Sequence, residues 1–414
     1  MKRYGIVIVV VLSGVVALFA QDSLNVTMVG RLDMSSARGV VVSGSYVYVA
    51  DYITGLRVVN VSNPANPVEV GYLNTPGHTR GVAISGNYAY VADGISGLRV
   101  VDVSNPVNPV EVGYYDTPNN ACGVAVSGNY AYVTDGGNCL LVVNVADPAH
   151  PTEVGYCNTT DEAIGVAVSS IHAYVADWEG GLRVVDISNP ENPVEVGYYY
   201  TPGGAFEVAI CGDYAYVADC WAGLRVVDVA NPGNPVEVGH YDTPRPARGV
   251  AVSTIYTYVA SDESGLRIVN VADPINPFEI GYYNTPGCAY GVAVSGNYAY
   301  VADYYYFEIF DCSQATSIQS HNPLKAPVSF SLLAAYPNPF NSVTNIFYEV
   351  PVTGQVRLMI YNLLGQQVAE IIDRNVVPGS YSQVWDARDV GSGVYFCRME
   401  AGGFQQVKKL VLMK

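Results

Sequence analysis

The chain has 414 residues, with 37 acidic against 20 basic side chains and a net charge of −17. That balance argues against nucleic acid or an anionic membrane surface as a partner, since both require a basic face. Thirty-four tyrosines and 41 glycines suit short strands and tight turns.

Residues 1–20 combine Lys2 and Arg3, an apolar run from Gly5 to Phe19, and the small Ala20. This is the pattern of a secretory signal cleaved after Ala20. The run is shorter than the ~20 apolar residues a membrane span requires, so the mature protein is expected to have no span.

A string then restarts at Gly39, Gly81, Gly123, Gly165, Glu207, Gly249 and Gly291, each start 42 residues after the last. A fixed period of this size outranks any local reading. Each copy resolves into four strand-like runs, as in GVAIS, YAYVAD, GLRVVDVS and VEVGYY. Gly86-Asn87 supplies the positive φ of a two-residue hairpin. The two prolines of each NPxNP stop helix and central strand alike, so they fix a turn between strands three and four. Four antiparallel strands per unit make a blade, and seven units predict an all-β, seven-bladed β-propeller over residues 21–314. The seventh copy lacks its fourth strand, and Val26–Leu32 matches that strand ahead of the first copy. The N-terminal strand is therefore expected to close the last blade and cover its open edge.

At LRVVDVSNP the chain resembles the LVIVD family, bacterial propeller repeats found on exported proteins. The resemblance spans roughly residues 26–313 and implies the fold; it brings no catalytic residue with it.

No GxSxG, HExxH or phosphate-binding loop occurs, and the five histidines fall at unrelated repeat positions. No catalytic residue, metal ligand or cofactor is predicted. The eight cysteines lack metal-ligand spacing and read as single small hydrophobes. An Asp closes strand two in six copies: Asp51, Asp93, Asp135, Asp177, Asp219 and Asp303, with Ser261 in the seventh. Each is expected to fold back on the following loop as an Asx-type turn. The competing reading is a calcium-binding ring, which needs ligands at 2.3–2.6 Å that separate blades would not bring together. Arg57, Arg99, Arg183, Arg225 and Arg267 in strand three recur with a Glu in strand four, and these are expected to form a solvated rim of ion pairs.

Comparing the copies locates the variable surface. The Gly-Asn and NPxNP turns hardly change, whereas the loops after strand two and before strand one change freely. Both loops should emerge on one face, which carries the candidate ligand-binding residues Tyr52, Trp178, Phe206, Trp221, Tyr290, Tyr304 and Tyr305, with Arg38, Arg80 and Arg248. The aromatics are expected as two clusters, one at blades four and five and one where blade seven meets blade one.

Residues 315–330 read as a polar linker. Residues 331–414 alternate strand-like runs with turns, and six or seven strands in this length predict a small immunoglobulin-like sandwich. This segment resembles the C-terminal sorting domain of the type IX (Por) secretion system. The resemblance rests on Tyr336, Pro337, Asn338, Pro339, Phe340 and Asn341, on the Ile360-to-Gly365 segment, on Trp385-Asp386, on Gly393, and on Lys408 and Lys409. It implies an outer-membrane translocon as partner and a secreted or cell-surface location. The functional expectation is a binding or adhesion propeller whose ligand is a glycan or a protein. The alternatives are an extracellular polysaccharide-degrading enzyme, which needs two carboxylates about 5–10 Å apart, and a structural matrix protein.

Overall fold

The computed structural model describes residues 23–317, 329–336, 338, 340, 343–388 and 390–413. The expected signal segment lies outside the described residues, as do Pro337, Pro339 and Asn341 of the sorting motif.

Seven four-stranded antiparallel blades follow in chain order, each pairing strand one with two, two with three and three with four. In blade two these are Gly81–Ser85, Tyr88–Ala92, Leu98–Asp102 and Val110–Tyr115. Gly86 has φ 57° in its hairpin, and Ser170 and Thr254 hold the same left-handed conformation in blades four and six. In six of the seven blades the strand-four Gly sits under the NPxNP turn of the next blade: a Cβ on Gly71 would lie 2.2 Å from the Pro106 carbonyl. The glycine is therefore required for blades to approach each other.

Apolar side chains fill the seams between blades. Tyr48, Leu56 and Val58 of blade one pack with Ala89, Val91 and Val101 of blade two, and six further clusters repeat the arrangement around the ring.

The ring closes as the sequence predicts. The strand Thr27–Ser43 pairs through its first half with Tyr298–Asp311, in the register Thr27 to Asp311 and Leu32 to Phe307. Its second half is strand one of blade one. Gly30 meets the Pro64 carbonyl as its counterparts do elsewhere, which seats blade seven against blade one. In this blade the usual Arg–Tyr cross-strand pair is replaced by Glu308 opposite Arg31, 3.1 Å apart, with the Glu308 side chain fully buried. Blade seven has no NPxNP turn to cover Gly281 of blade six. Ala315, on the short helix Ser313–Ser317, and Leu24 take that place, and Ser23–Leu24 adds a fifth strand to blade six. So the first residues of the expected linker are helical and packed.

The strand-three arginines are not the solvated rim that the repeat suggested. Their side chains are only 2–15% exposed, held against strand-four Glu at 3.6–3.8 Å. They stack on strand-four tyrosines, as Arg57 does on Tyr72 at 4.9 Å and Arg267 on Tyr282 at 4.6 Å. A guanidinium held over a ring in this way is a geometry that a count of charges does not reveal. Strand-four Glu carboxylates also accept hydrogen bonds from the preceding blade, from Tyr115 to Glu153, Tyr199 to Glu237 and Tyr241 to Glu279 at 2.5–2.9 Å. These groups tie blade to blade.

The C-terminal domain has seven strands in two sheets. Ser331–Tyr336, Val343–Val350 and Gly379–Asp386 form one, and Gln367–Val376, Gly354–Asn362, Gly393–Ala401 and Phe404–Leu412 form the other. Their shared core includes Leu358, Ile360, Trp385 and Cys397. Among the described residues no two cysteines form a disulfide.

Candidate functional site

Each Asp that closes strand two staples the two variable loops together. Its carboxylate accepts from backbone N–H groups of the loop before strand one, as Asp51 does from Ser35 and Ser36, Asp219 from Gly203 and Gly204, and Asp303 from Gly287, at 2.8–3.0 Å. Asp51 also accepts from Ile53 and Thr54 in the following loop, the Asx-type turn expected from sequence. Ser261 reverses the polarity: its hydroxyl donates to the Arg245 carbonyl at 2.8 Å. The carboxylates are thus engaged by backbone and side-chain donors, such as the Thr75 and Thr79 hydroxyls on Asp93. Among the described residues, no group of three or more His, Cys, Asp or Glu is placed to hold a metal ion.

In five blades the residue after this Asp or Ser joins the blade to the next. Trp178 bridges Ala205, Cys220 bridges Ala247, Asp262 bridges Ala289, and Tyr304 meets Ala37 across the ring closure. At these four positions a non-glycine residue has φ between 31° and 54°. Left-handed backbone at residues such as Trp and Tyr costs on the order of 1–3 kcal/mol and concentrates at functional surfaces.

The strand-one residues line a central channel in three layers. Its cavity is ≈ 240 Å³. Nearest the variable loops is a ring of Arg38, Arg80, Cys122, Ile164, Phe206, Arg248 and Tyr290. Below it lies the repeat-start residue of each blade. The backbones crowd here: a Cβ on Gly39 would meet the Arg80 carbonyl at 2.6 Å, and one on Gly291 the Arg38 carbonyl at 2.4 Å. Six positions are glycine, and the seventh is Glu207. The Glu207 carboxylate fits because Gly165 beside it has no side chain: a Cβ there would lie 2.9 Å from Glu207 Oε1. Burial pushes this carboxyl up to about 7, against a single weak bond from the Val208 N–H. The third layer contains Val40, Val82, Val124, Val166, Val250 and Val292.

The structure joins the sequence-predicted aromatics through arginine. Arg38 lies 4.4 Å from the Tyr52 ring and 4.6 Å from the Tyr290 ring, bridging two tyrosines that do not themselves stack. Tyr52 stacks instead on His78 at 4.4 Å. Tyr290, Tyr304 and Tyr305 form a chain of ring contacts at 6.0 and 4.6 Å. Trp178 and Phe206 meet edge-to-face at 6.1 Å, and Arg248 sits between Phe206 and Tyr290 at 5.3 and 5.1 Å. Trp221 stands apart at the tip of its loop, 75% exposed. The equivalent tip positions in other blades hold Ile53, Ile95 and Tyr305, all more than half exposed. Ile53, Ile95 and Glu207 were missed in the sequence. Glu207 was visible there as the only repeat start that is not glycine.

Seven consecutive segments match the LVIVD repeat: residues 35–75, 76–117, 118–159, 162–201, 202–243, 244–285 and 286–320. The chain belongs to the LVIVD repeat family. Residues 334–413 match the secretion system C-terminal sorting domain. That domain marks proteins carried by the type IX system across the outer membrane to the cell surface or beyond, and this LVIVD protein carries it intact. Its motif residues act as a clasp. Asn338 donates to the Lys409 carbonyl and accepts from the Val411 N–H, while buried Phe340 bridges Leu412 and packs on Trp385 at 5.3 Å. Gly365 makes a left-handed turn at φ 77°, and Gly393 and Lys408 lie in the paired strands that follow. No curated protein matches the chain. Among solved structures, the crystal structure of the computationally designed Ika8 protein superposes with a TM-score of 0.52 at 9% identity, over 66% of this chain and 82% of that one. That is a likeness of fold alone.

Proposed function

We propose that this LVIVD protein is an extracellular binding or adhesion module that holds a glycan or a protein on the variable-loop face of its propeller and does not turn it over. One observation carries the reading: the loop tips expose Ile53, Ile95, Trp221 and Tyr305 around a mouth lined by arginine and tyrosine. Apolar side chains gathered on one face and rimmed by polar groups mark interaction surfaces, and aromatic and arginine side chains dominate contact energetics. The Asp staples and blade bridges hold these loops on a rigid frame, which lowers the ordering cost of binding. The full chain probed on glycan and peptide arrays tests the proposal. Binding that is lost in a Trp221→Ala, Tyr305→Ala double variant supports it, and a clean array on both surfaces overturns it.

A further inference from the structure

We infer that the channel mouth is an anion site that takes the carboxylate of an acidic sugar. This deepens the binding reading and rests on it. Going round the mouth, Arg248, Tyr290, Arg38 and Arg80 are consecutive, so three guanidinium groups share one arc. Arg248 is already paired with Asp262 at 2.9 Å. Arg38 and Arg80 make no ion pair among the described residues, and the buried Nε of each has no hydrogen-bond partner. Two unneutralised guanidiniums, partly withdrawn from water, in a chain of net charge −17 are positioned for an anion. The other charged groups facing the mouth are Glu162, on the Cys122 side, and Glu207, one layer down.

The surroundings select the class of anion. At five of the seven rim positions the backbone N–H is engaged within its own blade: Arg80 donates to Ala92, Ile164 to Ala176, Phe206 to Ala218, Arg248 to Ala260 and Tyr290 to Ala302, at 2.8–2.9 Å. The mouth therefore offers neither a strand edge nor a nest of amides, the two devices that capture a peptide backbone or its terminal carboxylate. It offers ring faces instead. Tyr52 and Tyr290 flank Arg38, and half-exposed Tyr304 and Tyr305 continue outward, a platform on which the C–H face of a sugar can stack while its carboxylate meets the arginines. The net charge repels an extended polyanion, and a cavity of ≈ 240 Å³ falls below the ~300–1,000 Å³ of drug-sized sites. One acidic ring at a chain end fits both limits.

The test titrates the full chain with D-glucuronate, D-glucose and sodium sulfate by calorimetry at about 0.15 M salt. Glucuronate should bind at least about tenfold more tightly than either of the others, and Arg38→Gln and Arg80→Gln should each weaken it at least about fivefold. Should a Gln variant lower the melting temperature, Arg38→Lys keeps the charge while losing the planar fork, and it too should weaken glucuronate. Equal binding of glucose removes the anion site, and equal binding of sulfate removes the sugar. A peptide or neutral glycan that binds on the arrays unaffected by Arg38→Gln leaves the binding module standing and overturns this inference alone. Clean arrays together with no glucuronate binding overturn both.

Discussion

Glu207 places a carboxylate where every other blade has glycine, and the energetic consequence can be measured directly. Its carboxyl moves from 4.5 to about 7, first because burial in the channel disfavours the charged form. Below about pH 4.5 the group is protonated in both the folded and unfolded states and contributes nothing to pH dependence. Between about pH 4.5 and 7 the folded state keeps the proton while the unfolded chain releases it, so the unfolding free energy falls as pH rises. The slope is about 1.4 kcal/mol per pH unit, giving a total of about 3 kcal/mol. Above about pH 7 the loss levels off. Glu207 is not fully sealed from solvent, so channel water makes this an upper figure. Glu207→Gln removes the titration. Relative to the variant, the parent chain should lose stability progressively through this window, worth roughly 6–12 °C in melting temperature at about 2–4 °C per kcal/mol. Denaturant and thermal unfolding of both proteins at half-unit steps from pH 4 to 8 supply the comparison. Asp303 and Glu308 are also raised, to about 6 and about 7, but they titrate alike in both proteins and cancel in the difference. Parallel curves across the whole range would refute the reasoning, because they would mean that the Glu207 carboxylate is as well solvated folded as unfolded.

The closing pair gives a second expectation. Arg31→Glu sets a like charge against buried Glu308 and should cost about 3–5 kcal/mol, while Arg31→Glu with Glu308→Arg should recover most of it in urea unfolding; a double variant no better than the single shows that the pair does not fix closure. Trp178 occupies left-handed backbone, so Trp178→Gly should leave stability equal or higher by about 1 kcal/mol while weakening a ligand by about 2 kcal/mol or more; early unfolding would make the ring a blade cap. A chain ending before residue 331 should accumulate in the periplasm by cell fractionation, and its arrival at the surface would separate export from the sorting domain.

The fold was legible because its determinants are local and repeat seven times. Gly-Asn hairpins, NPxNP stops and alternating strands each act over a few residues, and the displaced fourth strand could be found by its match to VEVGY. The site was legible only in outline. Variable loops pointed to the face on which these side chains gather, but Arg38 as the link between Tyr52 and Tyr290 depends on contacts between residues 38 and 290 that no local pattern encodes. The strand-three arginines were misread for a related reason. A charge that recurs opposite Glu suggests solvent, yet Tyr72, Tyr114, Tyr198 and Tyr282 cover these side chains. Snorkelling and stacking are properties of three-dimensional neighbours, not of sequence spacing.

The same architecture explains why one face can vary while the other does not. On the NPxNP side each turn is the neighbour's floor: Gly71, Gly113, Gly155, Gly197 and Gly239 all sit about 2 Å, at the Cβ position, from the next blade's proline carbonyl. A change there disturbs two blades at once. On the loop side the bridge after strand two joins blades through backbone hydrogen bonds, and the Asp carboxylate holds the loops of its own blade by accepting their amides. Backbone hydrogen bonds ask little of the side chain, so Gly94, Trp178, Cys220, Asp262 and Tyr304 all occupy equivalent positions. The tip residue beyond them is less constrained still, ranging from Gly137 to Trp221. Stability is thus carried by groups away from the loop tips, which leaves the loop side chains room to vary. Glu207 is the exception. It sits in the most crowded layer of the ring and is a stability cost that the fold tolerates only because its neighbour is glycine.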